Sequence, residues 1–194
     1  MTRQTTAPLT RLQVNASNRT AREVARMVGE GWLQLDPPYQ RGQVWTEDQQ
    51  VALIRSFVTG VPIPALIINL RARPSWDDPA APNPYAEHAY ACVDGQQRIR
   101  TLAAWFDGEL AVPASWFAPE DVEDYISTDD GPYVTFDSLT KPARTNIAFT
   151  WTIPFAESSV NSICAEAEVY VLVNGQGTPQ SAADLDNARR IATT

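Results

Sequence analysis

The apolar and polar positions of the chain alternate between helical periods and short apolar runs. Ala21, Val24, Ala25 and Val28 recur at helical spacing behind Thr20 and Glu23, the two ends of a capping box, before Gly29 and Gly31 stop the element. Leu33-Gln34-Leu35 runs into Asp36-Pro37-Pro38, where two prolines forbid helix and impose an extended entry to Tyr39-Gln40-Arg41. A second capping box, Thr46 with Gln49, opens a helix with an apolar stripe through Ile54, Phe57, Val58 and Val61, and Gly60 closes it. After Pro62 and Pro64, the β-rich run Ala65 to Leu70 is short enough for a buried strand. Ala89 to Val93 is another, a candidate neighbour in the same sheet. From Gly95 the period turns helical, with Ile99, Leu102, Ala103 and Phe106 on one face and Asp107-Gly108 as the stop.

Between the two strands, residues 71–88 carry Pro74, Pro79, Pro82 and Pro84 and read as a surface excursion. Further on, Tyr133 to Phe136 and Trp151 to Phe155 read as strands, and Ile163 to Val173 fits either helix or strand. Gly175-Gln176-Gly177 breaks the pattern before a last helix capped by Ser181 with Asp184 and ending near Arg189 and Arg190. The expected organisation is a flexible segment over 1–18 and a single domain over 19–194, of which 160–194 form a helical appendage. A chain of 194 residues has length for one substantial core.

Composition narrows the classes. With 44% hydrophobic and 20% charged residues the chain is globular, and no apolar run approaches the roughly 18 residues of a membrane span. Met1 to Thr10 lacks the apolar centre of a secretory signal, so the cytoplasm is the expected compartment, with no membrane partner. A net charge of −8 argues against a broad basic footprint, and direct DNA binding is expected to be weak or absent. Cys92 and Cys164 sit in apolar stretches and read as buried thiols; with His88 the one histidine, a structural zinc site is nearly excluded. The acidic stretch from Glu120 to Asp130 reads as a solvated loop.

The candidate chemistry lies at Asp94-Gly95-Gln96-Gln97-Arg98. A strand ending at Asp94, a glycine that allows a sharp turn and a helix opening at Gln96 present free N–H groups and a positive dipole end, which together seat an anion. Arg98 supplies a planar, permanently charged fork for phosphate oxygens, and Gln96 and Gln97 add neutral donors. Asp94 holds Mg²⁺ through water, grips a ribose hydroxyl, or caps the helix. Upstream, Arg41 is a second cation for a polyphosphate, and Tyr39 or Trp45 offers a ring to cover a base or sugar.

Pro37-x-Tyr39-Gln40-Arg41 with Trp45, then Gly60-Val61-Pro62-Ile63-Pro64, a strand, and Val93-Asp94-Gly95-Gln96-Gln97-Arg98 resemble domain-of-unknown-function family 262. That family is the N-terminal domain of GmrSD-type modification-dependent restriction systems, within the ParB and sulfiredoxin-like superfamily. The similarity runs from about Leu33 to Phe106, and Asn174 to Leu185 is similar to a later Asn-x-x-Gly-x-Pro-x-Ser stretch, which makes Asn174 a ligand or a turn residue. The resemblance implies an α+β fold with a small mixed sheet or partly open barrel and flanking helices. It implies that Gly95, Gln96, Gln97 and Arg98 contact the phosphates of a nucleoside triphosphate bound with Mg²⁺, and that Tyr39, Gln40, Arg41 and Trp45 form the family's second loop. Hydrolysis coupled to restriction or defence follows, with Asp94, Arg98 and Arg41 as the catalytic set. Family members continue into a helical region and a histidine-containing nuclease domain that do not fit after Val173, so nuclease or DNA-modifying activity is expected from a protein partner. Two alternatives stand beside hydrolysis: a ParB-like kinase acting on a small molecule or nucleotide, and a non-catalytic nucleotide-sensing or partner-docking module.

Overall fold

Local signals place most of the frame. The computed structural model of the chain describes residues 6–9, 11–40, 44–73, 76, 88–175 and 190–191. Strand β1 (Val14–Thr20) passes directly into helix α1 (Ala21–Gly29) because the Thr20 hydroxyl accepts the Glu23 backbone N–H at 3.1 Å. The Glu23 carboxylate meets Arg19 at 2.5 Å. Helix α2 (Glu47–Thr59) has both halves of its capping box, Thr46 with Gln49, and ends on Gly60 at φ +70°.

The central sheet adds β2 (Leu33–Gln34), β3 (Leu66–Leu70), β4 (Tyr90–Asp94) and β8 (Thr152–Ser158), in the order β1-β8-β3-β4-β2. β3 and β4 are antiparallel neighbours, while β3–β8 and β2–β4 are parallel, so the sheet is mixed; it is open rather than closed into a barrel. A smaller sheet orders β5 (Val112–Pro113), β7 (Gly131–Val134) and β6 (Ile126–Thr128) as β5-β7-β6. Helices α3 (Gln96–Phe106), α4 (Lys141–Thr150) and α5 (Ile163–Asn174) complete a single α+β domain.

The core corrects several expectations. The buried side of α3 runs through Ile99, Leu102 and Trp105, with Ala103 and Phe106 half-buried. The face turns because the Trp105 ring fills the centre of the core, stacked on Trp151 at 6.0 Å and on Phe117 at 6.3 Å. Val14–Thr20, largely inside the segment expected to be flexible, is an edge strand paired with β8. β6 lies within the acidic stretch that reads as a loop. Ile163–Asn174 is helix and packs into the domain with Ala167 and Tyr170 buried, so this part of 160–194 is core rather than appendage. The remainder of that appendage, with its Ser181–Asp184 cap, lies outside the described residues, as does most of the 71–88 excursion.

A buried ion pair locks these elements together. Arg71, just after β3, donates from Nε to Glu166 Oε1 at 2.7 Å and from Nη2 to Oε2 at 2.5 Å, and both side chains are fully buried. Its Nη1 reaches Gln34 Oε1 on β2 at 2.6 Å. Glu166 also accepts from Asn69 Nδ2 at 2.7 Å and from the Tyr39 hydroxyl at 3.2 Å. Asn69 Oδ1 in turn receives Ser158 Oγ at 3.1 Å and Val160 N at 2.9 Å. Burying a charge pair is costly, and this one is tolerated because the carboxylate oxygens are met by several donors.

Glu166→Ala leaves the Arg71 guanidinium buried without its counter-ion and is expected to cost about 3–5 kcal/mol in urea unfolding. Burial first, and the Glu166 charge second, push the Tyr39 phenol well above its usual range. Because the folded value is raised, this contribution is complete below about pH 10 and is lost as pH climbs beyond it. Wild-type stability should therefore fall more steeply than that of Tyr39→Phe between about pH 9 and 11, and parallel curves would remove Tyr39 as the cause.

Candidate functional site

The turn between β4 and α3 is built for glycine. Gly95 is the N-cap of α3 at φ +99°, with no side-chain capping bond, so the helix start is left to the backbone amides. A Cβ here would meet Leu66 Cδ2 at 2.4 Å and Arg98 Nη2 at 3.1 Å. Asp94 does not cap the helix; its carboxylate accepts from Arg98 Nη2 at 2.7 Å, one turn on. Arg98 also donates to the carbonyls of Pro64 and Ala65, which ties the turn to the Gly-Val-Pro-Ile-Pro segment.

Helical phase then separates the two arginines of this turn. Positions three and four apart share a face, so Arg100 falls beside Gln96 and Gln97, whereas Arg98 points about 200° away. Asp36, Pro37, Pro38, Gln40 and Val44 face Gln96, Gln97 and Arg100 across a cleft of about 510 Å³. Asp36 accepts from Gln96 Nε2 through one oxygen and from Arg100 Nη2 at 2.5 Å through the other. Gln97 Oε1 accepts the Trp45 backbone N–H at 3.1 Å, bringing the start of α2 to the same place. Gln40 is 7% exposed, and its Oε1 has no hydrogen-bond partner among the described residues.

The remaining expected site residues are spread wider. Tyr39 is fully buried, its ring 5.7 Å from that of Tyr170 and its hydroxyl on Glu166. Trp45 is half-buried against the core. Asn174 ends α5, and its Nδ2 donates to the Tyr170 carbonyl at 3.0 Å. Arg41 lies outside the described residues. Asp36 and Arg100 are the cleft residues that the motif reading missed; the signal was the four-residue step from Gln96 to Arg100 on a helix. His88 lies away from the turn, its Nδ1 2.6 Å from the Gly31 carbonyl oxygen. Among the described residues there is no group of three or more His, Cys, Asp or Glu placed to hold a metal ion. Cys92, under the turn, has its thiol raised far out of the reactive range, by burial first and the Asp94 charge second.

Gly95→Ala should destabilise the protein by about 1–3 kcal/mol, through strain at positive φ and the collision with Leu66. A melting temperature equal to wild type would show that the turn can relax into an ordinary helix start.

No helix among the described residues is long and apolar enough to cross a membrane. Comparison with curated proteins and with solved structures gave no match. A family model does match, over residues 24–190, described as "GmrSD restriction endonuclease, N-terminal domain". The match takes in both walls of the cleft, the turn and α5, and the chain therefore belongs to the GmrSD restriction endonuclease N-terminal domain family, which associates it with restriction and defence.

Proposed function

We propose that the chain is the nucleotide-handling module of a restriction or defence system, binding a nucleoside triphosphate with Mg²⁺ and hydrolysing it. One observation carries this reading: Asp36, Pro37, Pro38 and Gln40, and Gln96, Gln97 and Arg100 some sixty residues on, converge on one cleft at the uncapped N-terminus of α3. Amides at a helix start, an arginine fork and glutamine side chains are the donors that phosphoryl oxygens need, and phosphoryl transfer asks mainly for positioning and positive charge. The module's place in the ParB and sulfiredoxin-like superfamily is part of the same proposal, as is a cytoplasmic location.

In this reading Gln96, Gln97 and the first amides of α3 seat the phosphates. Arg98, bound to Asp94 and to the Pro64 and Ala65 carbonyls, keeps the turn in shape and places positive charge beneath it. Arg41 is a further proposed cation, and Gln40, at the cleft wall, and Trp45, whose backbone N–H meets Gln97, belong to the nucleotide's surroundings. Mg²⁺, when bound, would neutralise charge on the phosphates, and Asp94, the carboxylate of the turn, would have to release Arg98 to hold it. Hydrolysis transfers the terminal phosphoryl group to water, breaking the bond to the bridging oxygen and releasing a proton at neutral pH.

A non-catalytic switch is favoured by a different observation, that Asp94 and Asp36 are both engaged by arginines and neither stands ready as a general base. A kinase would require an acceptor.

Titration calorimetry with ATP, GTP and CTP plus Mg²⁺, followed by phosphate release on the same samples, separates the three. Saturable binding with release in the absence of acceptor is expected. Binding without release makes the module a switch, and release only with an acceptor makes it a kinase. Arg98→Ala removes the brace that holds Gln96 and Gln97 in place and should weaken binding by about 1–3 kcal/mol, and unchanged affinity would show that the turn needs no such brace.

A further inference from the structure

Within the cleft, two side-chain donors of α3 are already occupied by one carboxylate from the opposite wall. Asp36 takes Gln96 Nε2 on one oxygen and Arg100 Nη2 on the other. A carboxylate that accepts from an amide and a guanidinium offers two anionic acceptor oxygens where a phosphate would offer two of its own. The pair is not sealed in: the Asp36 side chain is 66% exposed and that of Arg100 39%. An ion pair this exposed contributes about 0–1 kcal/mol, so a multiply charged ligand can displace it at little cost. Beside it, Gln40 presents a buried amide oxygen without a partner among the described residues, an uncommon state for a folded protein and one that a bound ligand's N–H relieves.

Resting on the nucleotide reading above, we propose that Asp36 is an internal placeholder for the ligand's phosphate, and that on binding the phosphate takes Gln96 and Arg100 from it. Arg100, rather than Arg98, is then the guanidinium that touches the ligand, because Arg98 is directed to Asp94 and to the carbonyls of Pro64 and Ala65 on the other side of α3. The ligand class is a polyphosphate ester whose remaining part carries a donor for Gln40, as a nucleobase with an amino or ring N–H group does. Asp36 sets the affinity: its charge opposes any anion that enters, so weakly charged phosphates are excluded while a triphosphate competes successfully.

The placeholder has a signed test. The full-length chain is titrated with ATP and with inorganic tripolyphosphate, in EDTA and again in Mg²⁺, as wild type, Asp36→Asn, Arg100→Gln and Arg100→Lys. Asp36→Asn keeps the shape and removes the competing charge, so it should tighten tripolyphosphate binding about 3- to 10-fold; Arg100→Gln should weaken it about tenfold or more, with partial recovery in Arg100→Lys. Circular dichroism melts on the same samples confirm folding, and a structural role alone does not move affinity in opposite directions at the two ends of one ion pair. Affinity for Asp36→Asn that is unchanged, or lower in either buffer, overturns the placeholder; lower only in Mg²⁺ makes Asp36 a metal ligand instead. Wild-type binding that survives intact in both Arg100 variants overturns this proposal and leaves the nucleotide function standing. No binding of either probe by wild type overturns both.

Discussion

Glu166 and Arg71 meet in the interior with no contact to solvent, and that ion pair is the constraint on which the rest of the architecture rests. Two charges taken out of water are tolerated only where their lone pairs and protons are all engaged. Here the engagement draws in β2 through Gln34, β3 through Asn69, the Ser158–Val160 corner after β8, and the proline loop through the Tyr39 hydroxyl. Each of these groups comes from a different part of the chain, so satisfying one carboxylate sets the relative positions of five segments. Apolar packing of the same surfaces would hold them together with far less control over register and angle.

The consequence for the site is direct. Pro37 and Pro38 stiffen the loop, Tyr39 pins it from below, and the neighbouring Asp36 and Gln40 are left at the cleft wall. On the facing side, Gly95 turns the chain in a conformation that side chains avoid, and Leu66 lies so near that only a residue without Cβ fits. Arg98 then braces this turn against the Pro64 and Ala65 carbonyls. Two braced walls thus meet across the gap, with Asp36, Gln96 and Arg100 linked by hydrogen bonds between them.

Charge tells the same story on a larger scale. A chain with a net charge of −8 does not gather polyanions over its whole surface. At the start of α3, Arg98 and Arg100 stand beside the first helical amides, so the proposed anion site is a local one. For a domain of the restriction endonuclease family, this favours a compact phosphate compound over a nucleic-acid backbone, which needs an extended track of cations.

How much of this was legible beforehand depended on the range of the interaction. Caps, turns and apolar periods act within a few residues. The sequence alone therefore determined α1 to α3, the pairing candidates β3 and β4, the glycine turn and the proline loop, and the shared motifs pointed to the family. Where the pattern was weak the reading was too: α5 is apolar on every side and left helix and strand open, and β1 is a polar edge strand whose partner lies far along the chain. The buried Arg71–Glu166 pair and the inward turn of Tyr39 onto Glu166 join residues 95 and 127 positions apart, and no local rule ranks such contacts. Only the tertiary structure decided them, because charge burial and core volume are settled when the elements pack, not when they form, whereas the helical phase that parts Arg98 from Arg100 is local.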